Sequence, residues 1–129
     1  MLTPEVASAI EEIKVSFEDA VVEFHEDGSG GAWVIVEPVD PGPTYLQRST
    51  WIGFQITFPY PASDVYPHFI RPDLSRVDGQ PLGEATSESK FGFDGRKAIQ
   101  LSRRSNRLNP TIDTAELKLR KVLEWLASR

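Results

Sequence analysis

The chain has 129 residues, a net charge of −5 at pH 7, 40% hydrophobic and 26% charged side chains, and no cysteine. This size and balance describe one soluble domain, residues 1–129, that can bury a core without disulfide or metal staples. No window approaches the roughly 20 apolar residues of a membrane span, no thiolate chemistry is open to the chain, and its imidazoles, His25 and His68, are too few for a structural zinc site.

Met-Leu-Thr-Pro-Glu at the N-terminus lacks the basic and apolar regions of a signal peptide, so a cytoplasmic setting is expected. Thr3 followed by Pro4 marks a helix start, because threonine caps and proline's missing N–H costs nothing at the first helical position. Val6, Ile10, Ile13 and Phe17 then recur at helical spacing as one apolar stripe. Residues 20–25 and 32–37 are expected to form two strands joined by Asp27-Gly28-Ser29-Gly30-Gly31, whose glycines tolerate the positive φ of a hairpin turn. Asp40-Pro41-Gly42-Pro43 ends the second strand. Ile52, Phe54, Ile56 and Phe58 alternate with Trp51, Gly53, Gln55 and Thr57, the period of a half-buried antiparallel strand.

Prolines 59, 61, 67 and 72 then impose extended or turn geometry, with a short fourth strand expected near residues 68–70. Residues 73–95 are polar and read as a long loop or a lid. A last helix is expected to start with Asp113 as cap and Glu116 closing a capping box, with Ala115, Leu119, Val122, Leu123 and Leu126 facing inward. Trp125 falls at the flank of that stripe, while Trp33 and Trp51 lie opposite the core stripe of their strands and either pack under the first helix or mark a contact patch. The expected class is α+β: an N-terminal helix, an antiparallel four-stranded meander, an irregular segment and a C-terminal helix, with the helices on one face.

Charge is unevenly spread. Residues 1–60 hold ten acidic and two basic side chains (−8), residues 61–89 five and two (−3), and residues 90–129 four acidic and ten basic (+6). The basic density peaks at Arg96, Lys97, Arg103, Arg104 and Arg107. Two expectations follow: a surface that meets an acidic protein partner through arginine forks, or a solvated loop neutralised by the acidic half. Nucleic acid is not expected, given a pI near 5.0 and no interleaved aromatics. Adjacent carboxylates such as Glu11-Glu12 and Glu18-Asp19 point apart and form a solvated face rather than an acid/base pair.

Ile99-Gln100-Leu101, then Leu108-Asn109-Pro110 before the last helix, resembles the Ile-Cys-Leu … Trp-Ser-Pro segment of ubiquitin-conjugating enzymes. Phe58-Pro59, Tyr66-Pro67-His68-Phe69 and Arg71-Pro72 resemble that family's Phe-Pro-x-x-Tyr-Pro-Phe and the proline beyond it, so the likeness runs in order along nearly the whole chain. It places Gln100 where the family has its catalytic cysteine, and Lys90-Phe91-Gly92 where the family has His-Pro-Asn, the Asn of which supports the oxyanion. An oxyanion donor is worth about 2.7–4 kcal/mol, so both parts of thiol-based transfer are missing. The chain also ends after the crossing helix, as in inactive variants and the related RWD domains, which are adaptors.

The resemblance therefore implies a catalytically inactive scaffold without a cofactor, working in a bacterial ubiquitin-like modification pathway of the kind some of which serve phage defence. Its partner would be the activating (adenylating) enzyme or an active conjugating subunit, and with it the ubiquitin-like protein; no membrane is implied. Gln100, Arg103, Arg104 and Arg107 on the pseudo-active face, and Glu5, Glu11 and Glu12 on the first helix, are the candidate contacts. The acidic helix departs from the family, which presents basic residues there. The enzymatic alternative carries a ubiquitin-like C-terminus as an oxyester on Ser102 or Ser105, although serine needs a positioned base and no imidazole is expected beside it. A third reading is a general RWD-like interaction module.

Overall fold

In the computed structural model, which describes residues 1–129, helix α1 (Pro4–Ser16) begins as expected: Thr3 Oγ1 accepts the Val6 N–H at 3.1 Å and Pro4 takes the first helical position. Its inner stripe is Val6, Ala9, Ile10 and Ile13, all buried. Strands β1 (Val21–Glu26) and β2 (Ala32–Val39) form the expected hairpin, with Gly28 and Gly30 at positive φ and Asp27 Oδ1 accepting the N–H groups of Ser29 and Gly31 at 2.8 and 3.1 Å. Strand β3 (Thr50–Ile56) and the short β4 (His68–Ile70) follow in antiparallel order.

Beyond β4 the expectation fails. The segment read as a loop or lid contains β5 (Thr86–Lys90), which pairs with β6 (Lys97–Leu101) in a second hairpin, and β6 docks on β4. The sheet therefore has six strands in the order β1-β2-β3-β4-β6-β5, all antiparallel, rather than a four-stranded meander followed by an irregular segment. Strand β5 escapes the pattern because it is an edge strand, Thr-Ser-Glu-Ser-Lys, with no buried side chain to set up an alternation. Helix α2 (Ala115–Ala127) closes the chain.

Both helices lie on one face of the sheet, tied by Ser16 Oγ donating to Glu116 Oε1 at 2.8 Å. Ala115, Leu119, Val122 and Leu126 of α2 join the stripe of α1 against Val34, Val36, Ile52, Phe54, Ile56, Ile70, Ile99 and Leu101 in the main core. Each such fully buried aliphatic or aromatic side chain contributes about 1.5–3 kcal/mol by leaving water. The cap of α2 differs from expectation: Thr114 Oγ1 accepts the Leu117 N–H at 3.1 Å, whereas Asp113 turns back to accept the Asn109 N–H at 2.7 Å. Glu116 makes no capping box; it bonds Ser16 and Arg120 instead.

The opposite face of the sheet carries a second, smaller core. Ile35, Phe69, Phe91 and Ala98 are buried there, with Trp33, Trp51 and Phe93 packed around them. The turn between β5 and β6 folds back over the sheet, so that Phe91 is fully buried and the Arg96 guanidinium lies 4.8 Å from the Trp51 ring centre. His25 of β1 stacks on Phe93 at 4.2 Å. Trp33 and Trp51 thus pack neither under α1 nor on a bare patch; Trp125 does sit at the edge of the main core, as its helical position suggests.

Candidate functional site

Residues 102–114 leave the end of β6, cross one end of the sheet and enter α2. Gln100 sits inside β6, opposite Phe69 of β4 and Ser87 of β5, so its strand is hydrogen-bonded on both sides. The pairing with Phe69 puts Gln100 on the face away from the helices, half-buried, with Nε2 donating to Ser102 Oγ at 3.2 Å. Tyr66 lies beside Ser102; that hydroxyl and the Arg104 guanidinium, 4.4 Å over its ring, lower the phenol below its ordinary range. Within Lys90-Phe91-Gly92 only Phe91 is buried, while Lys90 and Gly92 are exposed. Phe91 fills the second core, and a Cβ at Gly92 would stand 2.6 Å from the Trp33 ring.

Ser105 belongs to a different constellation, on the helix side. Asp64, from the β3–β4 connection, accepts the Ser105 N–H at 2.7 Å (Oδ2) and the Ser105 hydroxyl at 3.0 Å (Oδ1). Lys118 of α2 donates to both Asp64 oxygens at 3.2 Å and to Ser105 Oγ at 2.7 Å. An ammonium has three N–H donors and no acceptor, so Lys118, 8% exposed, has every proton placed. Burial pushes the Asp64 carboxyl up, but the Ser105 N–H and hydroxyl and the Lys118 charge outweigh it and hold the group below the usual carboxylate range. The result is a closed charge-assisted knot that pins the 102–114 segment to α2. A cavity of about 20 Å³ between Tyr60, Asp64, Ser105 and Lys118 has room for one water. Nearby, Tyr60 accepts the Ala115 N–H on its hydroxyl at 3.0 Å and fixes the start of the helix.

Neither imidazole is placed as a base for these serines. His68 is wholly buried on the helix face, its ring 5.0 Å from that of Phe54, and neither ring nitrogen has a hydrogen-bond partner. Burial, reinforced by the Lys118 charge and only partly opposed by Asp64, pushes its pKa down to about 3. His25 is occupied on the other face with Phe93.

Above the knot, Arg103, Arg104, Asn106, Arg107 and the α2 residues Lys121 and Trp125 enclose a cleft of about 310 Å³. Arg103 and Arg129 lie 4.9 and 4.6 Å from the Trp125 ring centre. The basic run of the sequence is therefore divided. Arg103, Arg104 and Arg107 gather with Lys118 and Lys121, whereas Arg96 pairs with Asp94 at 2.7 Å on the second-core face and Lys97 lines a groove with Glu88 and Lys90. The expected neutralisation by the acidic half is not realised as ion pairs: none of the pairs joins residues 1–60 to residues 90–129. Glu5, Glu11 and Glu12 are exposed on α1, outside this constellation.

Asp64, Lys118 and Lys121 were not legible as site residues. Lys118 had a faint signal, since it stands three residues after Ala115 and four before Val122, on the buried stripe; Asp64 had none. No protein-family model, curated protein or solved structure matches this chain.

Proposed function

We propose that this chain is a non-catalytic scaffold of the ubiquitin-conjugating-enzyme type. It binds the activating enzyme, or an active conjugating subunit, of a bacterial ubiquitin-like modification pathway in the cytoplasm, of the kind that serves phage defence. The reading rests on the order of motifs in the sequence and on one observation: the residue at the thiol position, Gln100, lies in a strand paired on both sides, and its amide is spent on Ser102. A strand with two neighbours commits its N–H groups to ladders, so none is left to stabilise an oxyanion beside residue 100. Phe91, at the centre of Lys90-Phe91-Gly92, is packed into the second core. Gln100, Ser102, Tyr66 and Arg104 form a polar rim suited to a partner surface, and the exposed carboxylates of α1 form a second one.

The oxyester alternative gains one observation, the contact of Ser105 with Lys118 and Asp64. It loses more than it gains. Lys118 donates all three of its protons and has no lone pair to accept one, and Asp64 is a weakened base because its charged form is the stabilised one. The discriminating experiment is native mass spectrometry of the chain with an adenylating enzyme, its ubiquitin-like protein and ATP. A complex with no covalent mass on this chain is the expected result. A hydroxylamine-sensitive adduct that disappears in Ser105→Ala or Ser102→Ala would overturn the scaffold reading.

A further inference from the structure

We infer that the cleft between residues 103–107 and α2 is a binding site for a ligand bearing an oligophosphate group. This inference goes beyond the scaffold reading and does not depend on it. The cleft wall carries five cations, Arg103, Arg104, Arg107, Lys118 and Lys121, against one carboxylate, Asp113. Asp64 satisfies Lys118 from beneath. Arg103, Arg104 and Arg107 form no ion pair with any carboxylate, and Lys121 reaches Asp113 only at 3.8 Å. Cations of one sign facing one another across a concave wall repel, and the same concavity focuses their potential on whatever enters.

The donors are also pre-oriented. The guanidinium carbon of Arg103 lies 4.9 Å from the Trp125 ring centre and that of Arg104 4.4 Å from the Tyr66 ring centre, so each cation is held against an aromatic ring rather than loose in solvent. The knot beneath fixes the floor, because Ser105 is bound at both its N–H and its hydroxyl. Preorganisation of this kind lowers the entropic cost of binding.

The same wall argues against other occupants. Its apolar members are Val122 and Trp125, and the ring of Trp125 already bears Arg103 and Arg129, so it offers neither an anchor pocket for a protein hot spot nor a free ring for a nucleobase. The volume of about 310 Å³ lies at the lower end of ligand cavities, enough for two or three linked phosphates and a small attached group.

The test is titration with sodium tripolyphosphate, followed by calorimetry and by amide chemical shifts, at low and physiological salt. Saturable one-to-one binding is expected, with shifts concentrated at residues 103–107 and 118–125. Arg107→Glu and Lys121→Glu, both at exposed positions, should each weaken it at least tenfold, because each removes a charge-assisted contact. Lys97→Glu makes the same change in net charge away from the cleft and should leave affinity within about twofold. No saturable binding, shifts centred elsewhere, or equal loss in Lys97→Glu would each overturn the assignment.

Discussion

Phe91 stands against Gly53 so closely that a Cβ at residue 53 would lie 2.7 Å from Phe91 Cζ. The contact lets the tip of the β5–β6 hairpin fold over β3, and it makes a glycine necessary in the middle of that strand. Gly53→Ala should therefore destabilise the protein by about 1–3 kcal/mol, the usual cost of overfilling a packed site. Phe91→Ala should cost about 3–5 kcal/mol through the cavity it leaves. Urea unfolding measures both. Because Trp33 and Trp51 pack around Phe91, their fluorescence should shift in each variant, and an unchanged spectrum would contradict the placement of the tip.

Lys118 and Asp64 form a pair whose side chains, taken alone, are 10% and 21% exposed. Removing one partner of a buried pair costs about 3–5 kcal/mol, and the partial exposure of Asp64 brings the expectation for Lys118→Met down to about 2–3 kcal/mol. Asp64→Asn should cost a similar amount, and the double variant clearly less than the sum of the two. Additive losses in that cycle would mean the two side chains do not act on each other. Ser105→Ala should cost about 1 kcal/mol, a single hydrogen-bonding group in the same network.

Stability should fall in acid through His68. The unfolded chain takes up a proton near the ordinary histidine value of 6.5, whereas folded His68 stays neutral down to about 3. Unfolding thus binds a proton between those limits, and each pH unit within them removes about 1.4 kcal/mol. Asp64 acts in the same direction, but only as pH falls through and below the usual carboxylate range, where its lowered pKa still keeps it charged. Comparing wild type and His68→Leu by denaturant unfolding at pH 7 and 4.5 separates them: the variant should lose about 2.5 kcal/mol less over that interval. Identical pH slopes would refute a neutral buried imidazole.

Helix α2 tests the capping assignment. Thr114→Ala should cost about 1 kcal/mol, the typical value of a lost N-cap. Asp113→Ala should leave the helix content unchanged in circular dichroism and act only on the turn at Asn109, since its carboxylate bonds there at 2.7 Å. The reverse ranking would return the cap to Asp113.

On the proposed scaffold reading, placing a thiol at residue 100 should not create transfer activity. Gln100→Cys is expected to form no thioester with an activating enzyme and its ubiquitin-like protein, because residue 100 lies within a doubly paired strand and Gly92, against the Trp33 ring, carries no side-chain donor. A thioester in that variant would show that the donors missing from this face are not needed.

The sequence by itself determined every element whose side chains repeat with the period of its secondary structure. The stripe of α1, the alternation of β3 and the stripe of α2 each report a face that must leave water, and Thr3-Pro4 reports where the first helix starts. It also excluded thiol chemistry outright, since a missing residue type needs no fold to interpret. Strand β5 was decided by tertiary structure, because an edge strand exposed along its length hides no apolar face that could set a pattern. The second core was decided there too: Phe91 looks like a loop residue until the hairpin brings it back over Gly53. The Asp64–Ser105–Lys118 knot joins residues 41 and 54 positions away from Asp64, and no local period encodes such a meeting. What divided the basic run into a cleft and a separate face was likewise the sheet, whose two sides carry Arg103 and Arg96 apart although they are close neighbours in the chain.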